Sequence, residues 1–232
     1  MVLVKTSAST ILDRAKRDNW SLSKLIGSGV RMLPSACRLC GARAGGIGLC
    51  AECINDLPRP DLRTQLSLRG VTSIYSTFRY AYPINKLITR TKFKSDIGTA
   101  NLLGQLMAAH IPGNFAYPNL ICPVPLPANR LIQRGFNQAL ELSRAVGKKL
   151  QIKIEPTLLK RRGYQRSQSE LTKSQRQANL RDAFYVERPI PGAFILIVDD
   201  VLTTGITATA AARAVLAAGA DRVDFWACAR VA

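Results

Sequence analysis

Ile195, Leu196, Ile197 and Val198 form a continuous apolar run of the kind a strand buried on both faces of a sheet requires. The run ends at two adjacent carboxylates, Asp199 and Asp200, and passes through a Thr-Thr-Gly turn. A helix then follows that keeps Ile206, Ala208, Ala211, Ala212, Val215 and Leu216 near one side and stops at Gly219. Upstream, "VTSIYSTFRYAY" predicts one or two strands, and "INKLITRTKF" and "TANLLGQLMAAH" predict helices with apolar residues at three-to-four spacing. "NLICPVPLP" reads as a buried strand running into a proline-stiffened loop, "FNQALELSRAVGKKL" as a helix, "IKIEPTLLKR" as a short strand pair and "RVDFWACA" as a last strand. Strands alternating with helices predict an α/β fold, a parallel sheet covered on both faces. The polar, basic stretch 161–181 breaks the pattern and reads as a mobile loop.

The pattern also divides the chain. Residues 1–30 read as a basic leader, partly helical or flexible; 31–60 as a small glycine-rich module with two cysteine pairs; and 65–232 as the main domain, after a linker marked by Pro58 and Pro60. At 232 residues the length fits one domain with an appendage, and 47% hydrophobic with 21% charged residues is an ordinary globular balance. The charge changes the picture: 33 Lys and Arg against 15 Asp and Glu leave +18, which favours polyanionic partners and phosphate first among them. No stretch approaches the roughly 18 unbroken apolar residues of a membrane span, and charges interrupt the opening residues, so neither signal peptide nor anchor is expected. Six cysteines, four of them in close pairs, suggest metal in a reducing compartment, and a cytoplasmic location follows.

In open α/β sheets ligands bind beyond the carboxyl ends of the strands, where Asp199 and Asp200 fall. The "TTGIT" segment offers backbone N–H groups and three hydroxyls at a helix start, whose partial positive charge attracts an anion. Two carboxylates would repel a bare anion there, unless they accept hydrogen bonds from sugar hydroxyls or hold a metal ion carrying phosphates. A ribose 5-phosphate group satisfies both halves of such a site.

"VDDVLTTGIT" resembles the phosphoribosyl-pyrophosphate (PRPP) signature of type I phosphoribosyltransferases. By that resemblance Asp199 and Asp200 bind the ribose hydroxyls, Thr203, Thr204, Gly205 and Thr207 hold the 5′-phosphate, and Mg2+ accompanies the pyrophosphate. A second stretch, "ICPVPLPANRLIQRGFNQALELSRAV", is similar to the ComF/GntX family, and with "LITRTKFKSD" and "RRGYQRSQSELTKSQRQANLRDAF" the resemblance runs from Cys37 onward. It implies a type I phosphoribosyltransferase-like core behind a small zinc-ribbon-like module. The prolines stiffen a loop that can face pyrophosphate, with Arg130 and Arg134 after it. Each arginine taken alone is as readily a solvated basic face. Arg161, Arg162 and Arg176, with Lys160, Arg166 and Lys173, occupy the place of the family's catalytic lid, against the alternative of a basic insertion without that role.

Cys37-x2-Cys40 and Cys50-x2-Cys53 can surround one tetrahedral Zn2+ as a closed structural site; free thiols or a redox-active pair are the alternatives. Cys122 and Cys228 fit buried strand positions, and His110, the single histidine, falls at a helix end. The resemblance implies a role in DNA uptake (competence) or DNA utilisation, with gluconate use a weaker association. Three classes of function are open: a PRPP-dependent transferase, a single-stranded DNA-binding protein that retains the PRPP pocket, and an adaptor docking a helicase-like competence partner. For the second class Phe136, Tyr164, Phe184 and Trp226 are candidates for base stacking.

Overall fold

The computed structural model describes residues 36–60, 66–162 and 183–231. The chain falls into two compact units that divide after Asn55.

In the first unit two tight turns present the cysteine pairs. Cys37 N–H donates to Ala42 O at 2.6 Å and Gly41 N–H to Cys37 O at 2.9 Å, closing a loop around Cys40 that an antiparallel bridge between Ala36 and Arg43 secures. Gly41 and Gly48 have φ of 78° and 83°, in the left-handed region that glycine enters without strain, whereas Gly45 and Gly46 do not. Cys50 precedes a short helix, α1 (Ala51–Asn55), which carries Cys53.

The second unit is built on a five-stranded, wholly parallel sheet. Its strands β1 (Ser73–Arg79), β2 (Leu120–Pro123), β3 (Lys153–Ile154), β6 (Phe194–Leu202) and β7 (Arg222–Arg230) lie in the order β1-β7-β6-β2-β3. Ile195 to Val198 have no exposed surface, as the apolar run requires of a central strand. Ile195 and Ile197 pack into one cluster with Ala208, Ala211, Ala212 and Val215 of helix α6 (Ile206–Ala217). Leu196 and Val198 alternate to the opposite face. Helices α2 (Ile84–Phe93), α3 (Ile97–Ala109) and α5 (Gln138–Leu150) arise where the spacing predicts them.

The structure departs from the expectations at several points. "IKIEPTLLKR" does give two short strands, but they do not pair with each other: β3 extends the main sheet beside β2, while β4 (Leu159–Arg161) pairs antiparallel with β5 (Phe184–Val186). Pro156 interrupts the ladder between them and lets the chain change sheets. The segment after the prolines, to which the pattern assigned no element, contains a short helix, α4 (Ala128–Arg134), which Gly135 ends in the left-handed conformation. The basic leader, most of the 161–181 loop, Arg166, Lys173 and Arg176 lie outside the described residues.

The register locates the crevice. Strand β6 pairs with β2 only as far as Pro123 opposite Val198, whereas on its other edge it continues beside β7 to Leu202 opposite Arg230. Asp199 and Asp200 therefore stand on a strand that has lost one neighbour but keeps the other. The acids are within the strand, fixed by its pairing with β7, rather than beyond its end.

Candidate functional site

A cleft of about 180 Å3 opens where β2 stops, lined by Lys92, Pro125, Arg134, Arg161, Asp199, Asp200 and Thr207 among others. Three cations, two carboxylates and a hydroxyl thus meet from α2, α4, β4, β6 and α6. Five of the residues singled out in the sequence come together here: Asp199, Asp200, Thr207, Arg134 and Arg161. Thr203, Thr204 and Gly205 form the turn between β6 and α6, with both threonines exposed. Gly205 has φ 75°, so the conformation favours glycine, and a Cβ there would lie 2.3 Å from Leu68 Cδ2, so that side chain would have to move. No side chain caps α6, and among the described residues nothing accepts from the Thr204 N–H. The helix start remains open to an anion.

The acids are held differently from each other. Lys92 Nζ lies 2.9 Å from Asp200 Oδ2, while the Asp200 N–H donates to Asp199 Oδ1 at 2.8 Å. Burial, and after it the charge of Asp200, pushes the Asp199 carboxyl up to about 8, against the opposing pull of the Asp200 N–H, Lys92 and Arg161. Both carboxylates open on the cleft and keep some solvent contact, so water there tempers the effect of burial.

The Arg-Gly-Phe-Asn-Gln stretch shapes the cleft from behind. Asn137 accepts from Ala139 N–H at 3.0 Å, capping α5, and donates through Nδ2 to Val124 O at 3.0 Å, which pins the proline loop. Gln138 is buried; its Nε2 donates to Thr91 O at 3.0 Å and its Oε1 accepts from Arg134 Nη1 at 3.0 Å. One amide thereby fixes Arg134 and the helix turn carrying Lys92. Arg134 is partly buried, and that burial lowers its pKa, with Arg130 adding to the effect and Asp200 opposing it.

Arg130 and Arg162 do not join the cleft wall. Arg130 is exposed and reaches Gln133 at 3.5 Å, and Arg162 stacks over the Tyr185 ring at 5.0 Å. Two of the stacking candidates are withdrawn: Trp226 is fully buried, donating from Nε1 to Thr77 Oγ1 at 2.9 Å, and Phe184 is 5% exposed beneath Arg161. Tyr164 lies outside the described residues, and Phe136 is half-buried. Cys122 and Cys228 are buried. His110 closes α3 with Nδ1 2.7 Å from Leu106 O, a structural position. Lys92 was not among the residues singled out, although Ile84 and Ile88 on the apolar face of α2 place position 92 on the same stripe, where a charge is conspicuous.

In the first unit the four thiols lie within 4.8 Å of one another, with Cys40 Sγ and Cys50 Sγ 3.6 Å apart. Sulfurs about 2.3 Å from a tetrahedral Zn2+ would be separated by about 3.8 Å, so the donor set fits that ion. The cluster is electrostatically incomplete as thiols. Burial pushes Cys37 up, but N–H groups from Cys40, Cys50 and Leu39 outweigh it and bring the thiol to about 6, whereas its neighbours push Cys53 well above its ordinary value. A bound cation would let all four ionise.

No family model matches the chain. It is 31% identical to the "DNA utilization protein YhgH" of Salmonella typhi over 214 residues, 90% of this chain and 89% of that protein. It is 30% identical to the "Competence protein F" of Haemophilus influenzae, covering 65% of this chain and 69% of the other. Among solved structures, a glutamine PRPP amidotransferase from B. subtilis overlaps 56% of this chain and 25% of that one, at 18% identity and a TM-score of 0.39. At that score the overlap adds nothing to what the sequence relatives carry. The parallel sheet, with a paired-acid strand leading through a glycine turn into a helix, has the arrangement that the resemblance to type I phosphoribosyltransferases implies, and a four-cysteine module accompanies it. The chain belongs to the ComF/GntX family, alongside the competence and DNA utilisation proteins it matches. No helix among the described residues is long and apolar enough to cross a membrane.

Proposed function

We propose that the cleft binds PRPP or a related phosphoribosyl ligand and that the protein acts in DNA uptake or DNA utilisation. The observation that carries this reading is the meeting, in one cleft, of the β6 acid pair, Thr207 in the first turn of α6, and the cations Arg134 and Arg161. Asp199 and Asp200 accept from the ribose hydroxyls, and Thr203, Thr204, Gly205 and Thr207 surround the 5′-phosphate with N–H and O–H donors. The proline loop, held by Asn137, and the guanidinium groups face the pyrophosphate. If turnover occurs, the C1–O bond breaks through an oxocarbenium-like state, which carboxylates beside the sugar stabilise while cations take up the charge of departing pyrophosphate. Mg2+ would accompany the pyrophosphate of the ligand and help neutralise its charge. The four cysteines hold a structural Zn2+, and the protein works in the cytoplasm, where a helicase-like competence partner is a candidate neighbour.

Thermal melting of the full chain tests the ligand. Mg-PRPP is expected to raise the midpoint in the wild type and to leave Asp199→Asn/Asp200→Asn unmoved; equal response in both, or none, would reject the reading.

A second reading is favoured by the +18 net charge: a single-stranded DNA-binding protein that keeps the pocket without turnover. Release of pyrophosphate with candidate bases separates the two. DNA affinity that falls linearly and steeply on a logarithmic salt scale supports the second, and a shallow slope opposes it.

A further inference from the structure

Two adjacent carboxylates at a phosphate-binding crevice suggest at first a divalent metal site, but the side chains around them are arranged otherwise. Asp200 Oδ2 is engaged by Lys92 Nζ at 2.9 Å, and Asp199 Oδ1 by the Asp200 N–H at 2.8 Å. One oxygen of each carboxylate is thus already engaged by the protein, which leaves one on each, fewer than the paired oxygens that an oxygen-ligated Mg2+ or Ca2+ site draws on. Lys92 is not a passing surface contact. Its side chain is only 24% exposed, and it sits on the last turn of α2, whose Thr91 carbonyl is tied down by the buried amide of Gln138. The same amide holds Arg134, so the two cations are set at fixed positions around the acids.

We infer that Lys92 is the resident counter-ion of the acid pair, supplying from the protein the charge compensation that a divalent cation would otherwise supply there. This rests on the phosphoribosyl reading above and adds to it a positioning residue and a metal requirement. The ammonium holds the Asp200 carboxylate in place through the 2.9 Å contact, so that its remaining lone pairs accept from a sugar hydroxyl. It also offsets the repulsion between the acids and an incoming phosphate. Metal then matters for the pyrophosphate of PRPP and not for the ribose 5-phosphate half of the ligand.

Ribose 5-phosphate, which lacks the pyrophosphate, is the discriminating probe. Calorimetric titration into the full chain is run in Mg2+ and in a magnesium-free, EDTA-containing buffer. Wild type is expected to bind with affinities that differ less than about threefold between the two, a small free-energy difference. Lys92→Met, with Lys92→Gln as a second neutral variant should the first fold poorly, is expected to lose about tenfold or more without metal, the worth of one charge-assisted hydrogen bond. Mg2+ should recover most of that loss by entering beside the exposed acids. Lys92→Arg, which keeps the charge, should restore most metal-free binding. A purely structural role for Lys92 would lower binding equally in both buffers, and a direct phosphate contact would give a loss that Mg2+ does not repair; either result overturns the inference. Wild-type binding that strictly requires Mg2+ overturns it too while leaving the phosphoribosyl reading intact. Failure of the wild type to bind ribose 5-phosphate or PRPP in either buffer removes that reading itself.

Discussion

The thiol cluster and the acid pair both crowd ionisable groups of one kind, and they solve the resulting repulsion in opposite ways. Around Cys37, Cys40, Cys50 and Cys53 the four sulfurs converge to metal-site distances, and among the described residues the groups that shift the Cys37 and Cys53 thiols are burial, backbone N–H groups and the other thiols, so a bound cation is the fitting source of charge balance. Around Asp199 and Asp200 the chain brings its own cation, Lys92, together with Arg134 and Arg161. The difference teaches that closeness of potential ligands does not by itself make a metal site. What decides is whether a protein cation already occupies the charge.

The strongest way to break the comparison is at the thiols. A structural Zn2+ contributes on the order of 10 kcal/mol in zinc-finger peptides. Metal analysis should therefore find one zinc per chain, and Cys40→Ser should lose it and abolish hydrogen-exchange protection across residues 36–55. Undiminished protection without metal would place the cluster in the same self-balanced class as the acids. Next, Asp199→Asn/Asp200→Asn removes both carboxyl groups that face the ribose hydroxyls, so PRPP affinity should fall by about tenfold or more in an equilibrium titration. Gly205→Ala forces a Cβ against Leu68 at positive φ and should lower stability by about 2–3 kcal/mol, read as a lower urea midpoint. Gln138→Leu strands the Thr91 carbonyl and Arg134 and should cost about 1–3 kcal/mol by the same measurement, while weakening the hold on Lys92.

The last test is a pH dependence. Asp199 has its folded pKa raised from 3.8 to about 8, so between those values the folded state binds more protons than the unfolded one. Its contribution to stability is therefore full below about 4 and is lost as pH rises through about 8. Asp199→Asn should flatten that part of the stability profile, and a slope unchanged by the substitution would show that Asp199 is ionised through the whole range.

How much of this was legible beforehand depends on the range over which each feature is encoded. The central strand, its acids and the helix behind them are local: an apolar run, a turn and a small-residue stripe lie in consecutive residues, and the same holds for the cysteine pairs. Lys92 is not local. It lies 108 positions before Asp200 (200 − 92), and only its place on the apolar stripe of α2 hinted that it was not a solvated lysine. The separation of β3 from β4 was equally hidden, because both halves of "IKIEPTLLKR" carry strand-forming residues and the choice of partner is made by strands far along the chain. Phe184 and Trp226 misled for the related reason that aromatic residues suit both stacking surfaces and cores. Gln138 stood within a recognised motif, yet its work is to bridge Arg134 to the Thr91 carbonyl, a contact spanning 47 positions that no spacing reveals.

The most direct measurement is a crystal structure of the full chain grown with Mg-PRPP. The expected density places the ribose hydroxyls on Asp199 and Asp200, the 5′-phosphate on the Thr203–Thr207 turn, and Lys92 still paired with Asp200. A ligand bound elsewhere, or a metal ion seated between the two carboxylates with Lys92 displaced, would contradict the arrangement described.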